Sequence, residues 1–201
     1  KLLDIYKYIC SKWQPCFYYW FIESFHTNIE WYIKRLNYAK SLAVSSMIGY
    51  VVGLGDRHMS NILIDIQNAE LVHIDLGVCF ESGLTLKTPE IIPFRLTPDL
   101  VHGLGIYSTN GMFDQCAIET LQIMIQNEDM FMTILQVFLH DPLYKWSLSS
   151  SKLATIQQEE HEDLHEDVVV STVHTTHTIN TDDENISAQR AIFRVKQKLR
   201  G

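Results

Sequence analysis

Residues 53–61 read Gly-Leu-Gly-Asp-Arg-His-Met-Ser-Asn, and residues 73–77 read His-Ile-Asp-Leu-Gly. Two short runs rich in Ile, Leu and Val, 62–64 and 71–74, lie between these motifs and are separated by turn-forming residues. This pattern predicts a β-hairpin. Because the two ends of a hairpin lie side by side, the second motif should return close to the first. The sequence therefore predicts one site built from two loops at the open end of a hairpin.

Three oxygen-bearing side chains in these motifs have the spacing used for phosphoryl transfer. Asp56 and Asn61 are separated by four residues, as are the base Asp and the metal-binding Asn of protein kinases. Asp75 precedes Leu-Gly, in the position of the kinase Asp-Phe-Gly motif. The reaction needs an acid that orients the acceptor hydroxyl and oxygen ligands that hold Mg²⁺ (or Mn²⁺) against the phosphates of ATP. Each residue alone would ordinarily be a turn or capping residue, so the hypothesis rests on the combination.

The order of the first motif resembles that of a known family. Residues 56–58 read Asp-Arg-His, whereas ordinary protein kinases have His-Arg-Asp, and this inversion resembles the phosphatidylinositol 3-kinase-related kinases. Thr-Pro-Glu at 88–90 and Pro-Phe-Arg-Leu-Thr at 93–97 resemble the ATM-type serine/threonine protein kinases within it. The resemblance covers about residues 15–147 closely and 186–201 loosely.

The resemblance implies a fold and a role for each residue of the predicted site. The fold would be α+β and mainly helical, a protein-kinase-like C-lobe of the PI3/PI4-kinase type with a small β-hairpin at its catalytic edge. Asp56 would be the catalytic base, and Asn61 and Asp75 would ligate Mg²⁺. His58 would reach the transferring phosphate, so His58, Asn61 and Asp75 together would hold Mg–ATP. For Arg57 a structural role is preferred, as an ion-pair partner.

The resemblance also implies an activation loop over residues 75–99, in which the peptide substrate docks. The residues expected to shape this loop or to contact substrate are Glu81, Thr88, Pro93, Phe94 and Arg95. Substrates would be protein Ser or Thr hydroxyls followed by Gln. A nuclear location, a role in the DNA damage response, sensor complexes as partners and a homodimer of the parent protein are implied in the same way.

Three segments are expected along the chain. Residues 1–147 would form the C-lobe of the catalytic domain, without the N-lobe, because no glycine-rich phosphate loop and no nucleotide-pairing Lys are found; the chain alone would then be an inactive fragment. Residues 148–185 would be an acidic, disordered regulatory linker, with nine acids and one base between 151 and 185. Residues 186–201, with five bases and no acid, would form a basic amphipathic helix that precedes a missing FATC segment.

Periodicity and capping signals predict the helices. Thr27 and Glu30 have the capping-box spacing, and the helix that follows should run to about Tyr50. The apolar stripe that it would bury consists of Ile29, Ile33, Leu36, Ala43 and Met47. Further helices are predicted from Thr97, over 112–126, over 128–140 and over 187–200, with a loop over 76–96. The aromatic-rich residues 1–26 are expected only to contribute to a core.

Composition excludes several classes of protein. Lys plus Arg number 16 against 24 Asp plus Glu, so a uniformly basic surface for nucleic acid is excluded and no direct nucleic-acid contact is expected. The four cysteines lie far apart, which fits neither a disulfide framework nor a Cys-x-x-Cys metal site. The longest weakly polar stretch, 41–55, is shorter than the roughly 20 apolar residues that span a bilayer, so no membrane association is expected.

Two alternatives share the kinase motifs. A lipid kinase of the same superfamily would need several cations in the activation loop to bind a phosphoinositide, and residues 77–93 contain only Lys87 against Glu81 and Glu90. A pseudokinase scaffold would have lost the metal ligands, whereas Asp56, Asn61 and Asp75 are all present.

A third alternative is a zinc metalloprotease. His161-Glu162-x-x-His165 matches the His-Glu-x-x-His signature. The surrounding polar tract lacks the apolar face of a buried active-site helix, and Val168 and Ser171 stand where the extended signature needs Gly and His. These histidines are expected to be solvated.

Overall fold

The computed structural model describes residues 1–86, 88–139 and 181–200. The helices in this part of the chain are α1 Leu2–Lys12, α2 Phe17–Ser24, α3 Asn28–Val52, α4 Pro98–Gly103, α5 Met112–Gln126, α6 Glu128–Leu139 and α7 Thr181–Arg200. The strands are β1 Ile62–Ile64 and β2 Leu71–His73, and short 3-10 turns occupy Met59–Asn61 and Ser82–Thr85. The predicted α+β, mainly helical fold with one small hairpin is confirmed. None of the described helices is long and apolar enough to cross a bilayer.

The long helix α3 begins where the capping signal predicted. The Thr27 hydroxyl oxygen accepts a hydrogen bond from the Glu30 backbone N–H at 3.2 Å, which satisfies one donor of the first turn. The predicted apolar stripe is wrong in the first two turns, because Ile29 and Ile33 are 76% and 46% exposed. The buried side of the helix starts further along, at Tyr38, and includes Ala39, Leu42, Ala43 and Met47.

The chain divides into two compact units. The first comprises residues 1–50, 57–76 and 94–122. Its core contains an aromatic cluster in which the rings of Phe17, Phe21 and Tyr38 meet edge to face at 5.3–5.4 Å between centroids. The Tyr38 hydroxyl donates to the Leu100 carbonyl at 2.8 Å, which joins α3 to α4. Gly103 permits this packing, since a Cβ there would lie 2.5 Å from a ring carbon of Phe17.

The predicted hairpin lies in the first unit. β1 and β2 are antiparallel, with Leu63 opposite Val72, and the second strand ends at His73. The Asp65 carboxylate organises the turn by accepting from the Gln67 backbone N–H at 2.8 Å. The Leu71 N–H donates to the Ser41 hydroxyl at 2.8 Å, so the hairpin is fastened to the middle of α3.

The second unit comprises residues 51–56, 77–93 and 123–201. In it the Glu128 carboxylate, in the first turn of α6, pairs with Arg200 at 3.0 Å and Lys196 at 3.7 Å on α7. The prediction of a disordered linker is wrong for residues 181–185, because α7 begins at Thr181. Acidic residues are favoured in the first turn of a helix, and three acids occupy 182–184 in the sequence. Residues 148–180 of that linker lie outside the described residues.

Candidate active site

Arg57 joins the loop of residues 57–61 to the end of the hairpin. The residue is 7% exposed. Its Nη1 donates to the Ile74 carbonyl at 2.7 Å and to the Asn61 carbonyl at 3.5 Å, and its Nη2 donates to the Asp75 carbonyl. The Ile74 N–H in turn donates to the Asn61 carbonyl at 3.1 Å. Through these bonds to backbone carbonyls Arg57 has the structural role preferred from the sequence.

The surroundings of the neighbouring His73 disfavour its protonation. Burial lowers the pKa of its imidazole, and the positive charge of Arg57 lowers it further. Its Nδ1 atom is buried and has no hydrogen-bond partner among the described residues. The charge of the Arg57 guanidinium is thus one of the two causes that disfavour a second positive charge at His73.

His58 and Asn61 lie together at the turn Met59–Asn61. The Asn61 side chain is 5% exposed, and its Nδ2 atom lies 3.0 Å from Nε2 of His58. The His58 Nδ1 atom accepts a hydrogen bond from the Ser60 backbone N–H at 3.2 Å, while the residue is otherwise exposed. The turn therefore holds the imidazole and the amide in one arrangement.

The two aspartates predicted as catalytic residues both have left-handed backbones. Asp56 has φ of 54° and Asp75 has φ of 52°, a region that residues other than Gly seldom occupy. Such conformations cost about 1–3 kcal/mol each and cluster at active sites, where the surrounding structure holds them in place. At Asp75 the carbonyl is held by Arg57.

Asp56 is held within the second unit by residues of the predicted activation loop. Its backbone N–H donates to Oε2 of Glu90 at 2.8 Å. The preceding Gly55 N–H donates to the Val78 carbonyl at 2.8 Å, and the Glu81 N–H donates to the Gly53 carbonyl at 3.0 Å. Residues 78–81 therefore run alongside residues 52–55.

Glu81, predicted as an activation-loop residue, pairs with α7. Its carboxylate lies 3.0 Å from Arg194 and 2.9 Å from Lys198. Burial tends to raise the pKa of this carboxyl, but the hydrogen bonds and charges of the two cations outweigh it and hold the Glu81 pKa below its ordinary value. The sequence did not indicate this pairing, because the partners are more than 100 residues apart.

The structure brings together three of the four predicted catalytic residues within the first unit: His58, Asn61 and Asp75. Asp56 belongs to the second unit, where Glu90 contacts it. In the remainder of the predicted activation loop, Thr88 and Pro93 are exposed, whereas Phe94 and Arg95 are half-buried. Glu90 was counted from the sequence only as one of the charges of the loop, although it stands in the Thr-Pro-Glu motif.

Asn61 and Asp75 fit a magnesium site that is completed by a nucleotide. Within the described ranges, no group of three or more His, Cys, Asp or Glu side chains could hold a metal ion. Mg²⁺ usually takes one or two protein oxygens together with phosphates and waters, and one carboxylate plus one amide satisfy that need. The alternative zinc signature at His161 and His165 lies outside the described residues.

Known proteins resemble this chain over most of its length. The family described as "Phosphatidylinositol 3- and 4-kinase" matches residues 2–148. The chain is 50% identical over 193 residues to "Serine/threonine-protein kinase ATM" of Arabidopsis thaliana, covering 96% of this chain and 5% of that protein. It is 41% identical over 202 residues to "Serine-protein kinase ATM" of Sus scrofa, covering 98% and 7%. The chain thus spans 5% and 7% of the length of these two relatives.

Two solved structures are similar in fold. "FAT and kinase domain of CtTel1" matches with a TM-score of 0.79 and 40% identity, over 98% of this chain and 12% of that chain. "Tel1 kinase butterfly symmetric dimer" matches with a TM-score of 0.79 and 33% identity, over 99% of this chain and 8% of that chain.

Proposed function

The chain belongs to the phosphatidylinositol 3- and 4-kinase family, and on that premise we propose that it is the catalytic C-lobe segment of an ATM/Tel1-type serine/threonine protein kinase. The reaction is transfer of the ATP γ-phosphate to a Ser or Thr hydroxyl of a protein. The observation that carries the proposal is the junction at Arg57, which fastens the Asn61 loop to the Asp75 backbone. The names and identities of the relatives support the protein-kinase branch.

Each residue has one task in this proposal. Asp56 accepts the proton of the substrate hydroxyl and orients it for attack. Asn61 and Asp75 would hold Mg²⁺, which neutralises phosphate charge when it is bound with ATP. His58, beside Asn61 and exposed, is available to contact the transferring phosphate. The protein's contribution is therefore positioning and electrostatic stabilisation.

A protein substrate is favoured over a lipid by the charge of the activation loop. The sequence of residues 77–93 contains one cation, Lys87, and two acids, whereas recognition of a phosphorylated headgroup needs several cations. One of those acids, Glu81, is already engaged with Arg194 and Lys198. The proposal extends to Ser or Thr followed by Gln as the phosphorylated site.

The cellular setting is proposed from the resemblance of the sequence motifs alone. We place the protein in the nucleus and in the DNA damage response, with sensor complexes as partners. A homodimer is supported by two solved Tel1 structures that are described as dimers.

The test uses the purified full-length protein and exchanges one catalytic oxygen. Asp56→Asn is compared with Asp114→Asn, the same chemical change at an exposed position in the first turn of α5. The substrates are a Ser-Gln peptide, a Ser-Ala peptide and phosphatidylinositol vesicles, each with Mg–ATP. Asp56→Asn should lower kcat on the Ser-Gln peptide by about 10²- to 10⁴-fold while nucleotide affinity is retained. Asp114→Asn should behave like the unchanged protein.

Four results would contradict the proposal, each in a different part. Phosphorylation of the vesicles alone would identify a lipid kinase. An absence of Mg²⁺-dependent nucleotide binding would identify a scaffold. Undiminished turnover by Asp56→Asn would remove that residue from the site, and equal use of the two peptides would refute the Gln preference only.

A further inference from the structure

Glu90 contacts the backbone of the residue to which we assign the proton transfer. Its Oε2 atom accepts a hydrogen bond from the Asp56 N–H at 2.8 Å, and the Glu90 residue is half-buried. The two residues are 34 positions apart, so a separate loop supplies this acceptor. A hydrogen bond from a backbone N–H to a carboxylate is charge-assisted and stronger than one to a neutral acceptor.

Two glycines form a slot for the Glu90 carboxylate. A Cβ on Gly55 would lie 2.5 Å from Oε2, and a Cβ on Gly83 would lie 2.7 Å from the same atom. Both glycines are buried. The Glu90 N–H donates to the Gly83 carbonyl at 3.1 Å, which fixes the start of the side chain as well as its end. The carboxylate therefore has one place to lie, directly against the Asp56 peptide.

The backbone of Asp56 needs such support. With φ of 54°, it lies in the left-handed region, from which a residue with a side chain tends to relax. Rotation about the N–Cα bond of Asp56 would redirect its side chain relative to the preceding peptide, because the Cα–Cβ direction follows the backbone. An acceptor held against the N–H resists that rotation.

We propose that Glu90 is a positioning residue, which acts by holding the Asp56 backbone so that the Asp56 carboxylate is aimed at the substrate hydroxyl. This inference rests on the proposed function, in which Asp56 is the base. It links the order of the activation loop to the direction of the Asp56 carboxylate, because Glu90 belongs to that loop and contacts the Asp56 backbone. Displacement of a catalytic group by about 1 Å can lower the rate about 10²-fold. We therefore expect the loss of Glu90 to lower kcat.

The test measures kcat and KM for ATP on the full-length protein, with a Ser-Gln peptide as substrate. Glu90→Ala should lower kcat about 10- to 100-fold and leave KM for ATP unchanged. Glu90→Gln should stay within about fivefold of the unchanged protein, because its amide oxygen can accept from the same N–H, though more weakly. A residue with a merely structural role would lose folded protein instead, with kcat per folded molecule unaltered.

Gly83→Ala supplies an independent variant. The backbone of Gly83 does not have a positive φ, so an Ala there is not strained by its conformation. The close contact that the added Cβ would make is the one with Glu90 Oε2. We expect Gly83→Ala to lower kcat in the unchanged background and to cause no further loss when combined with Glu90→Ala, since the two changes act on one contact. If Glu90→Ala does not fold, Gly83→Ala and Glu90→Gln together still decide the question.

The outcomes separate this inference from the proposed function. Full kcat in Glu90→Ala, or in Gly83→Ala if the former does not fold, beside an inactive Asp56→Asn would overturn the role of Glu90 alone. Additive losses of kcat in the double variant would also overturn the role of Glu90. A loss in Glu90→Gln as large as in Glu90→Ala would overturn it too, because the charge of the carboxylate itself would then be needed. An active Asp56→Asn would overturn the proposed function and this inference with it.

Discussion

Replacing Arg57 with Lys should loosen the junction between the end of the hairpin and the loop of residues 57–61. The guanidinium donates to the carbonyls of Ile74 and Asp75 from two different nitrogens, and to that of Asn61 at a longer distance. A Lys ammonium is a compact charge on a flexible stem and cannot reproduce this fork. Lysine is expected to keep one of the two close bonds, because both carbonyls cannot be reached from one nitrogen in the same geometry.

The magnitude follows from the bond that is lost. A hydrogen bond from a charged donor contributes about 1.5–3 kcal/mol, and both close bonds of Arg57 are partly buried. The free energy of opening this junction should therefore fall by about 1.5–3 kcal/mol. At 1.36 kcal/mol for each factor of ten, that is a change of about 10- to 150-fold in the opening equilibrium.

Hydrogen exchange on the full-length protein measures this opening directly. The Ile74 amide, which donates to the Asn61 carbonyl, should lose protection by that factor, and Mg²⁺-dependent nucleotide affinity should fall with it. Arg190→Lys, on an exposed part of α7, is the matched control and should change neither. Unchanged protection at Ile74 together with unchanged nucleotide affinity in Arg57→Lys would refute the reasoning.

Two further predictions concern the ion pairs of Glu81 and the packing around Gly103. The stabilisation that Glu81 gives to the folded protein should be complete above its ordinary pKa of 4.5. It should be lost as the pH falls through the lowered pKa of Glu81 in the folded protein, because protonation removes the pairing with Lys198. Glu81→Gln should therefore reduce the exchange protection of α7 by the equivalent of about 1 kcal/mol at neutral pH. The difference should shrink below pH 4.5, whereas Glu119→Gln, at an exposed position on α5, should show no such trend; a pH-independent difference would contradict the pairing. Gly103→Ala should cost about 1–3 kcal/mol of stability, seen as a lower unfolding temperature and weaker protection of α2 and α4, because its Cβ would overlap an aromatic ring. Gly111→Ala, whose Cβ would meet its nearest neighbour at 3.3 Å, is the control, and an equal loss in both variants would contradict the packing argument.

Elements that depend on neighbouring residues could be predicted from the sequence. The start of α3 at its Thr27 cap, the start of α4 after Thr97 and the hairpin all depend on hydrogen bonds that span a few positions. The first two helices could not be assigned; in the second, aromatic residues occupy every position of 17–21 and give no clear period. The early stripe of α3 was wrong because burial depends on which neighbours are present, and periodicity does not contain that information.

For the candidate site, the sequence alone determined the chemistry: which side chains carry oxygen, how Asp56 and Asn61 are spaced, and that a hairpin leads to Asp75. These are properties of covalent order and of local turns. Only the tertiary structure decided what holds them, namely Arg57 on the carbonyls of the hairpin and Glu90 on the N–H of Asp56. Such contacts join backbone atoms to side chains 17–34 residues away. A backbone carbonyl or amide is the same in every residue type, so no pattern of side chains could reveal these contacts before the chain had folded.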